Sequence, residues 1–232
     1  MPGSGRPIAV FALISALGLD YVRALHGFSG ALAAQPNDGF VLGKALNVLP
    51  WLTDSASALA LADRLIVLDP LNAIAYGFRG LCLYVLRRYE ASISACNKSM
   101  ALAPQLNYPL MWITLSLILL NRAGEARAVL ARMPPDDYFR LTDEAILRAR
   151  GGDRAGAEAI IAKIRAVSGD SSSFQYAQIY AQMGDLDRTF AALDQAVEAG
   201  DPGLLFVKRD PILDPIRPDP RYPALLQRLN FP

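Results

Sequence analysis

Apolar positions along the chain fall into paired helical stripes separated by short polar turns. Ala24-x3-Phe28, Ala58-x3-Ala62, Ser92-x3-Cys96 and Ala126-x3-Leu130 each open a helical i, i+4 face with a small residue, and those small residues are 34 positions apart. Pro36, Pro70 and Pro104 close the segments LAAQP, IVLDP and ALAP at the same interval of 34. Two markers in one phase predict a chain of repeated helical hairpins. Such hairpins must stack, because one hairpin alone cannot bury its apolar face.

In the first hairpin the run PIAVFALISALGL predicts a first helix with Ile8, Phe11, Ala12 and Ser15 facing inward, and Asp20-Tyr21 opens the second helix. In the second, Pro50-Trp51 ends the first helix early, since proline lacks the amide donor and crowds the preceding turn. The third is the most regular. Tyr76, Arg79, Gly80 and Leu83 lie on its first helix and Tyr89, Ser92 and Cys96 follow on the second, with Gly80 allowing close approach. The fourth carries Leu110, Ile113, Thr114 and Leu117, and Met133-Pro134-Pro135 cuts its second helix short. A fifth turns at Gly151-Gly152-Asp153, its small residue Ala157 coming 31 positions after Ala126. The sixth holds Tyr176-Ala177-x2-Tyr180, turns at Met183-Gly184-Asp185 and stops at Gly200, the residue suited to a left-handed helix end. Asp-Pro pairs at 210, 214 and 219 then impose turns, and a last helix is predicted from Asp219 with Leu225, Leu226 and Leu229 on one face. The expected architecture is all-α: a right-handed solenoid of about six hairpins over 1–203, closed by an Asp-Pro-rich tail and capping helix over 204–232.

The 34-residue unit and its spacing of small and bulky residues resemble the tetratricopeptide repeat. A longer segment, IYAQMGDLDRTFAALDQAVEAGDPGLLFVKRDPILDPIRPDPRYPALL from Ile179 to Leu226, carries the pattern DP-x2-DP-x-R-x-DP-R-[FY]-x2-LL from Asp210 onward. In this it resembles the tetratricopeptide C-terminal regions of bacterial signalling proteins, where the repeats follow a cyclase-like, kinase or winged-helix domain. The resemblance implies a regulatory module. The chain has no cyclase core, no kinase glycine loop with its catalytic HRD and no winged helix before residue 20, so it is expected to be a free-standing repeat module or a shortened relative, with any effector supplied by another chain.

An apolar fraction of 53% against 19% charged residues predicts a folded chain rather than a disordered one. The net charge of +1 excludes a general nucleic-acid surface. Residues 1–120 hold 8 basic and 6 acidic side chains and residues 121–232 hold 15 and 16, so the first half has less polar cover for its surface. The runs at 7–19 and at Tyr108–Leu120 are too short to span a bilayer, and both are read as helices of the array. A cytoplasmic location follows, with a signal peptide at 1–19 as the alternative. Cys82 and Cys96, on the two helices of one hairpin, suit a reducing compartment and have no metal-ligand spacing with His26.

His26, the single histidine, has no acidic neighbour at helical spacing. Asp136-Asp137, Asp143-Glu144 and Asp185-x-Asp187 are placed at turns or first turns of helices, where acids favour the helix dipole. Gly151-Gly152 has no preceding strand, as a phosphate loop requires. Neither catalysis nor a cofactor or metal is expected. Binding is: stacked first helices line a concave surface. By repeat phase its side chains include Phe40, Trp51, Phe78, Leu81, Tyr84, Tyr108, Met111, Trp112 and Leu115. Only Lys44 and Asn47 are available to a clamp for acidic tails, so that activity of some tetratricopeptide proteins is not carried over. The function expected is a scaffold whose apolar groove holds a partner peptide, a helix or a second copy of the chain. The regulatory module stands as the alternative.

Overall fold

The computed structural model describes residues 5–232. The first four residues of the expected array, and of the alternative signal peptide at 1–19, lie outside the described residues. The described chain is all-α and divides into two units, one running to Trp112 and including Leu229–Pro232, the other Ile113–Arg228. The first contains α1 (Gly5–Leu17), α2 (Tyr21–Ala34), α3 (Gly39–Leu46), α4 (Leu49–Leu52), α5 (Ser55–Leu68), α6 (Ala73–Val85), α7 (Tyr89–Leu102) and the start of α8 (Tyr108–Leu119). The second continues from α8 through α9 (Ala123–Leu130), α10 (Tyr138–Arg150), α11 (Arg154–Ser168), α12 (Ser173–Gln182), α13 (Leu186–Ala199) and α14 (Arg221–Arg228). Short 3-10 turns at Pro202–Phe206 and Pro211–Ile216 precede α14. The six hairpins are α1/α2, α3–α4/α5, α6/α7, α8/α9, α10/α11 and α12/α13.

Acidic and amide caps set most helix starts. Asp20, Asp38, Asp54 and Asn72 accept from free amides at the heads of α2, α3, α5 and α6, and Asp137, Asp153 and Asp185 do the same for α10, α11 and α13. Each such bond contributes about 1 kcal/mol. The turn inside each hairpin follows one recipe: the residue two before the second helix has positive φ. It is Leu19 (φ 63°), Arg87 (60°), Asn121 (58°), Gly152 (83°) and Gly184 (72°). The second hairpin breaks the recipe. There α3 ends at Leu46, α4 is a single turn with Pro50 in its first positions, and Thr53 is extended.

Small residues let the paired helices approach. Gly5, Ala9, Ala12 and Ala16 form the buried stripe of α1 against α2, and a Cβ on Gly27 would come within 2.8 Å of the Ala12 Cβ. This corrects the expected inward set of the first helix: only Ala12 of Ile8, Phe11, Ala12 and Ser15 is buried, and Phe11 is 68% exposed. The helix turns its alanines inward because they permit the shorter axial distance. Gly80 behaves as expected, since a Cβ there would strike the Cys96 sulfur, and Ser92 Oγ donates to the Gly80 carbonyl at 2.8 Å. Arg79 is paired with Asp63, Nε to Oδ1 2.8 Å.

The Asp-Pro tail shows why these dipeptides recur. Proline at the first positions of a 3-10 turn gives up no useful donor, and the preceding aspartate caps the turn. Asp201 accepts from Gly203 N (2.8 Å) and also from Phe174 N (3.0 Å), so it caps α12, whose own cap residue Ser172 makes no side-chain capping bond. Asp210 likewise accepts from Ile212 N (3.0 Å) and from Gln178 Nε2 of α12 (2.6 Å). Arg217 then binds the Lys208 carbonyl (2.7 Å) and Tyr222 Oη (2.8 Å). The last helix begins at Arg221 rather than at 219–220, with Asp219 accepting from Arg221 N, and it buries Tyr222 and Leu225 while Leu226 stays half-exposed; Leu229 is buried beyond its end.

Candidate functional site

Most of the aromatic residues on the first helices of the first unit pack against one another. Trp112 lies between Trp51 (ring centroids 5.9 Å) and Tyr84 (5.3 Å), and Tyr84 also meets Tyr89 at 6.2 Å. Trp51, Phe78, Leu81, Tyr84 and Trp112 are buried, Trp112 to 8% residual exposure. Leu115, on the part of α8 that belongs to the second unit, is buried there. Three of the nine expected groove residues reach the surface: Phe40 is 41% exposed, and Tyr108 and Met111 are half-buried.

A lane connects them along the first helices. Gly43 of α3 presents bare backbone to Phe78 of α6, and Phe78 meets Tyr108 of α8 at 6.4 Å. Tyr108 reaches back across α6, where its hydroxyl donates to the Ile74 carbonyl (3.0 Å) and occupies the space a Cβ on Gly77 would take. Burial pushes its phenol well above the ordinary tyrosine range, so it stays a neutral donor. At the other end two cations frame Phe40, with Lys44 Nζ 5.2 Å and Arg6 Cζ 5.7 Å from the ring centroid. Arg6 also holds Asp38 at 2.9 Å, and this keeps the Asp38 carboxyl below its usual range. Asn47 is turned back onto its own helix, Nδ2 to the Gly43 carbonyl 2.7 Å.

Elsewhere the groups with chemical potential are placed quietly. Cys82 and Cys96 are buried free thiols pushed by desolvation to about 12, and so are protonated and inert as nucleophiles near neutrality. His26 is exposed on α2. Among the described residues no group of three or more His, Cys, Asp or Glu side chains is placed to hold a metal, and no helix is long and apolar enough to cross a membrane. Asp137 and Asp185 are helix caps, as their position in the sequence suggests. Asp143 is a correction. It sits inside α10, 2% exposed, with one carboxylate oxygen lacking any partner; burial and the nearby Asp210 and Asp137 charges raise its pKa well above the ordinary value.

The same stacking of hairpins is found in solved structures. The crystal structure of a tetratricopeptide repeat protein from Parabacteroides merdae ATCC 43184 matches 98% of this chain and 93% of its own, with a TM-score of 0.55 and 16% identity. The chain has a tetratricopeptide-like fold. The crystal structure of PilW, a widely conserved type IV pilus biogenesis factor, matches 85% of this chain and 94% of its own, with a TM-score of 0.61 and 16% identity. No protein-family model matches the chain, and no curated protein does. At these identities the likeness concerns the fold alone.

Proposed function

We propose that the protein is a non-catalytic interaction scaffold whose first unit receives a peptide or helix of a protein partner along the lane from Phe40 to Met111. The observation that carries this reading is the layering of the lane. Phe40, Tyr108 and Met111 offer apolar surface to a partner, and Trp51, Phe78, Leu81, Tyr84 and Trp112 form the packed layer of the first helices beneath them. A rigid apolar shelf with few charges is what a docking helix or extended segment needs, since little ordering entropy is lost on the receptor side. The partner is a protein rather than a nucleic acid, because the lane presents only Arg6 and Lys44 as cations and Arg6 is already paired.

The test starts from a partner captured by a photo-crosslinker at Met111 in cells of the native host. Met111→Asp and Phe40→Asp are expected to weaken that partner at least about tenfold, or about 1.4 kcal/mol each, with unchanged helicity. A partner indifferent to both substitutions overturns the lane.

A second reading keeps the chain as the regulatory module of a signalling system whose cyclase-like or DNA-binding effector is supplied by another chain. The exposed apolar face of α1 and the head of α2 favours it: Val10, Phe11, Ile14, Leu17 and Val22 all lie in solvent. Recovery of such an effector with the wild-type chain and its loss with Phe11→Asp and Ile14→Asp supports this reading. Recovery unaffected by them removes it.

A further inference from the structure

The second unit contains a cleft of about 320 Å³ between α9 and α10, lined by no residue of the lane. Arg127 and Leu130 of α9 form one wall. Arg140, Glu144, Leu147 and Arg148 form the other, at the i, i+4, i+7, i+8 spacing of one helix face. Two of its three arginines lack a carboxylate. Arg148 is satisfied, since its guanidinium binds Glu144 Oε1 (2.9 Å) and Asp153 Oδ2 (2.8 Å). Arg127 makes no side-chain hydrogen bond or ion pair among the described residues. Arg140 spends Nη1 on the Met133 carbonyl (2.9 Å), and its buried Nε has no acceptor. Asp136, whose charge interacts with Arg140, is itself bound to Lys163 at 2.7 Å.

Three positive and two negative side chains leave this cleft with a net charge of +1 over a floor of Leu130 and Leu147. A guanidinium is a planar fork matched to a carboxylate, and two of them stand unpaired here. Glu144 and Asp153 in the rim disfavour a phosphate dianion, while a monoanion matches the net charge. The volume admits one or two side chains and no helix. We propose that the cleft between α9 and α10 binds a carboxylate monoanion set beside a branched apolar group, as in an acidic residue flanked by leucine in a partner's peptide. This site is independent of the lane in the first unit, and either stands if the other fails.

The experiment is a methyl and amide NMR titration of the full chain with acetyl-leucyl-glutamyl-leucinamide, its glutamine analogue, glutarate and inorganic phosphate. The glutamyl peptide is expected to shift Leu130 and Leu147 methyls saturably, with the glutamine analogue at least tenfold weaker. Glutarate weaker than the peptide assigns the carboxylate to a peptide; glutarate equal to or tighter than it overturns the peptide source. Arg127→Gln, a mild change at an exposed position, is expected to weaken the glutamyl peptide at least tenfold, while Lys98→Gln on the first unit leaves it unchanged. Equal response to the glutamyl and glutaminyl peptides, equal effects of the two substitutions, tighter binding of phosphate, or no saturable shift with any probe overturns the proposal.

Discussion

At the scale of single residues, the most consequential side chain is Asp143, an aspartate buried with an unpartnered oxygen and facing the negative charges of Asp210 and Asp137. The sign of its effect is fixed. Its folded-state pKa lies above the unfolded value of about 3.9, so the folded state resists ionising it. Asp143 therefore costs the second unit nothing below that value, and its share of the stability is lost as pH rises from there toward the folded pKa. Asp143→Asn removes the dependence: urea midpoints should favour the variant at pH 8, with the gain vanishing toward pH 4. Arg87 makes a different point. It holds φ 60° at an exposed turn where Gly152 and Gly184 occupy the equivalent places. Arg87→Gly should raise stability by about 1 kcal/mol in a denaturant melt, because a left-handed L-residue costs roughly 1–2 kcal/mol. Neither residue was legible in the sequence. A carboxylate inside a polar-looking stretch carries no mark of its burial, and an arginine carries none of a positive φ.

At the scale of elements, the 34-residue beat marks the first four hairpins, because the small-residue contacts between helices recur with it, and the glycine turns at Gly151-Gly152 and Gly184 mark the last two. The faces were harder. In α1 nearly every residue is apolar, so periodicity could not choose between the alanine stripe and the one bearing Phe11. On α4, α6 and α8 the aromatics Trp51, Tyr84 and Trp112 meet one another, and a turn of one residue decides between shelf and surface. Trp112→Ala should consequently behave as a core substitution, losing about 3–5 kcal/mol in chemical denaturation. The caps allow a similar test. Asp201 bonds the heads of two elements at once, α12 and the following 3-10 turn, so Asp201→Ala should cost about 1–2 kcal/mol and speed amide exchange at Phe174 and Gly203 together. We propose from the bonds of Gln178 to Asp210 and of Gln182 to the Ile212 carbonyl that the stretch beyond residue 203 acts as a cap over α12.

At the scale of the whole molecule, most cross-hairpin bonds join residues about one repeat apart: Tyr108 to Ile74, Tyr138 to Ser172, Arg221 to Asp187 and Arg228 to Asp194 each span 34 positions. Stability in such a chain is largely a sum of neighbours. Leu229–Pro232 is the exception, for this last segment belongs to the first unit, where Phe231 stacks on Tyr21 with centroids 4.4 Å apart. Phe231→Ala should lower the protection of α2 amides in hydrogen exchange by about 0.5–1.5 kcal/mol, the share of an aromatic pair beyond its buried area. The ring pair also sets a clock on biosynthesis. Each hairpin needs only its successor, a matter of seconds at roughly 5–20 residues per second. The face of Tyr21 that meets Phe231 is made among the first, and this contact cannot form until residue 231 has been added, about 210 residues later.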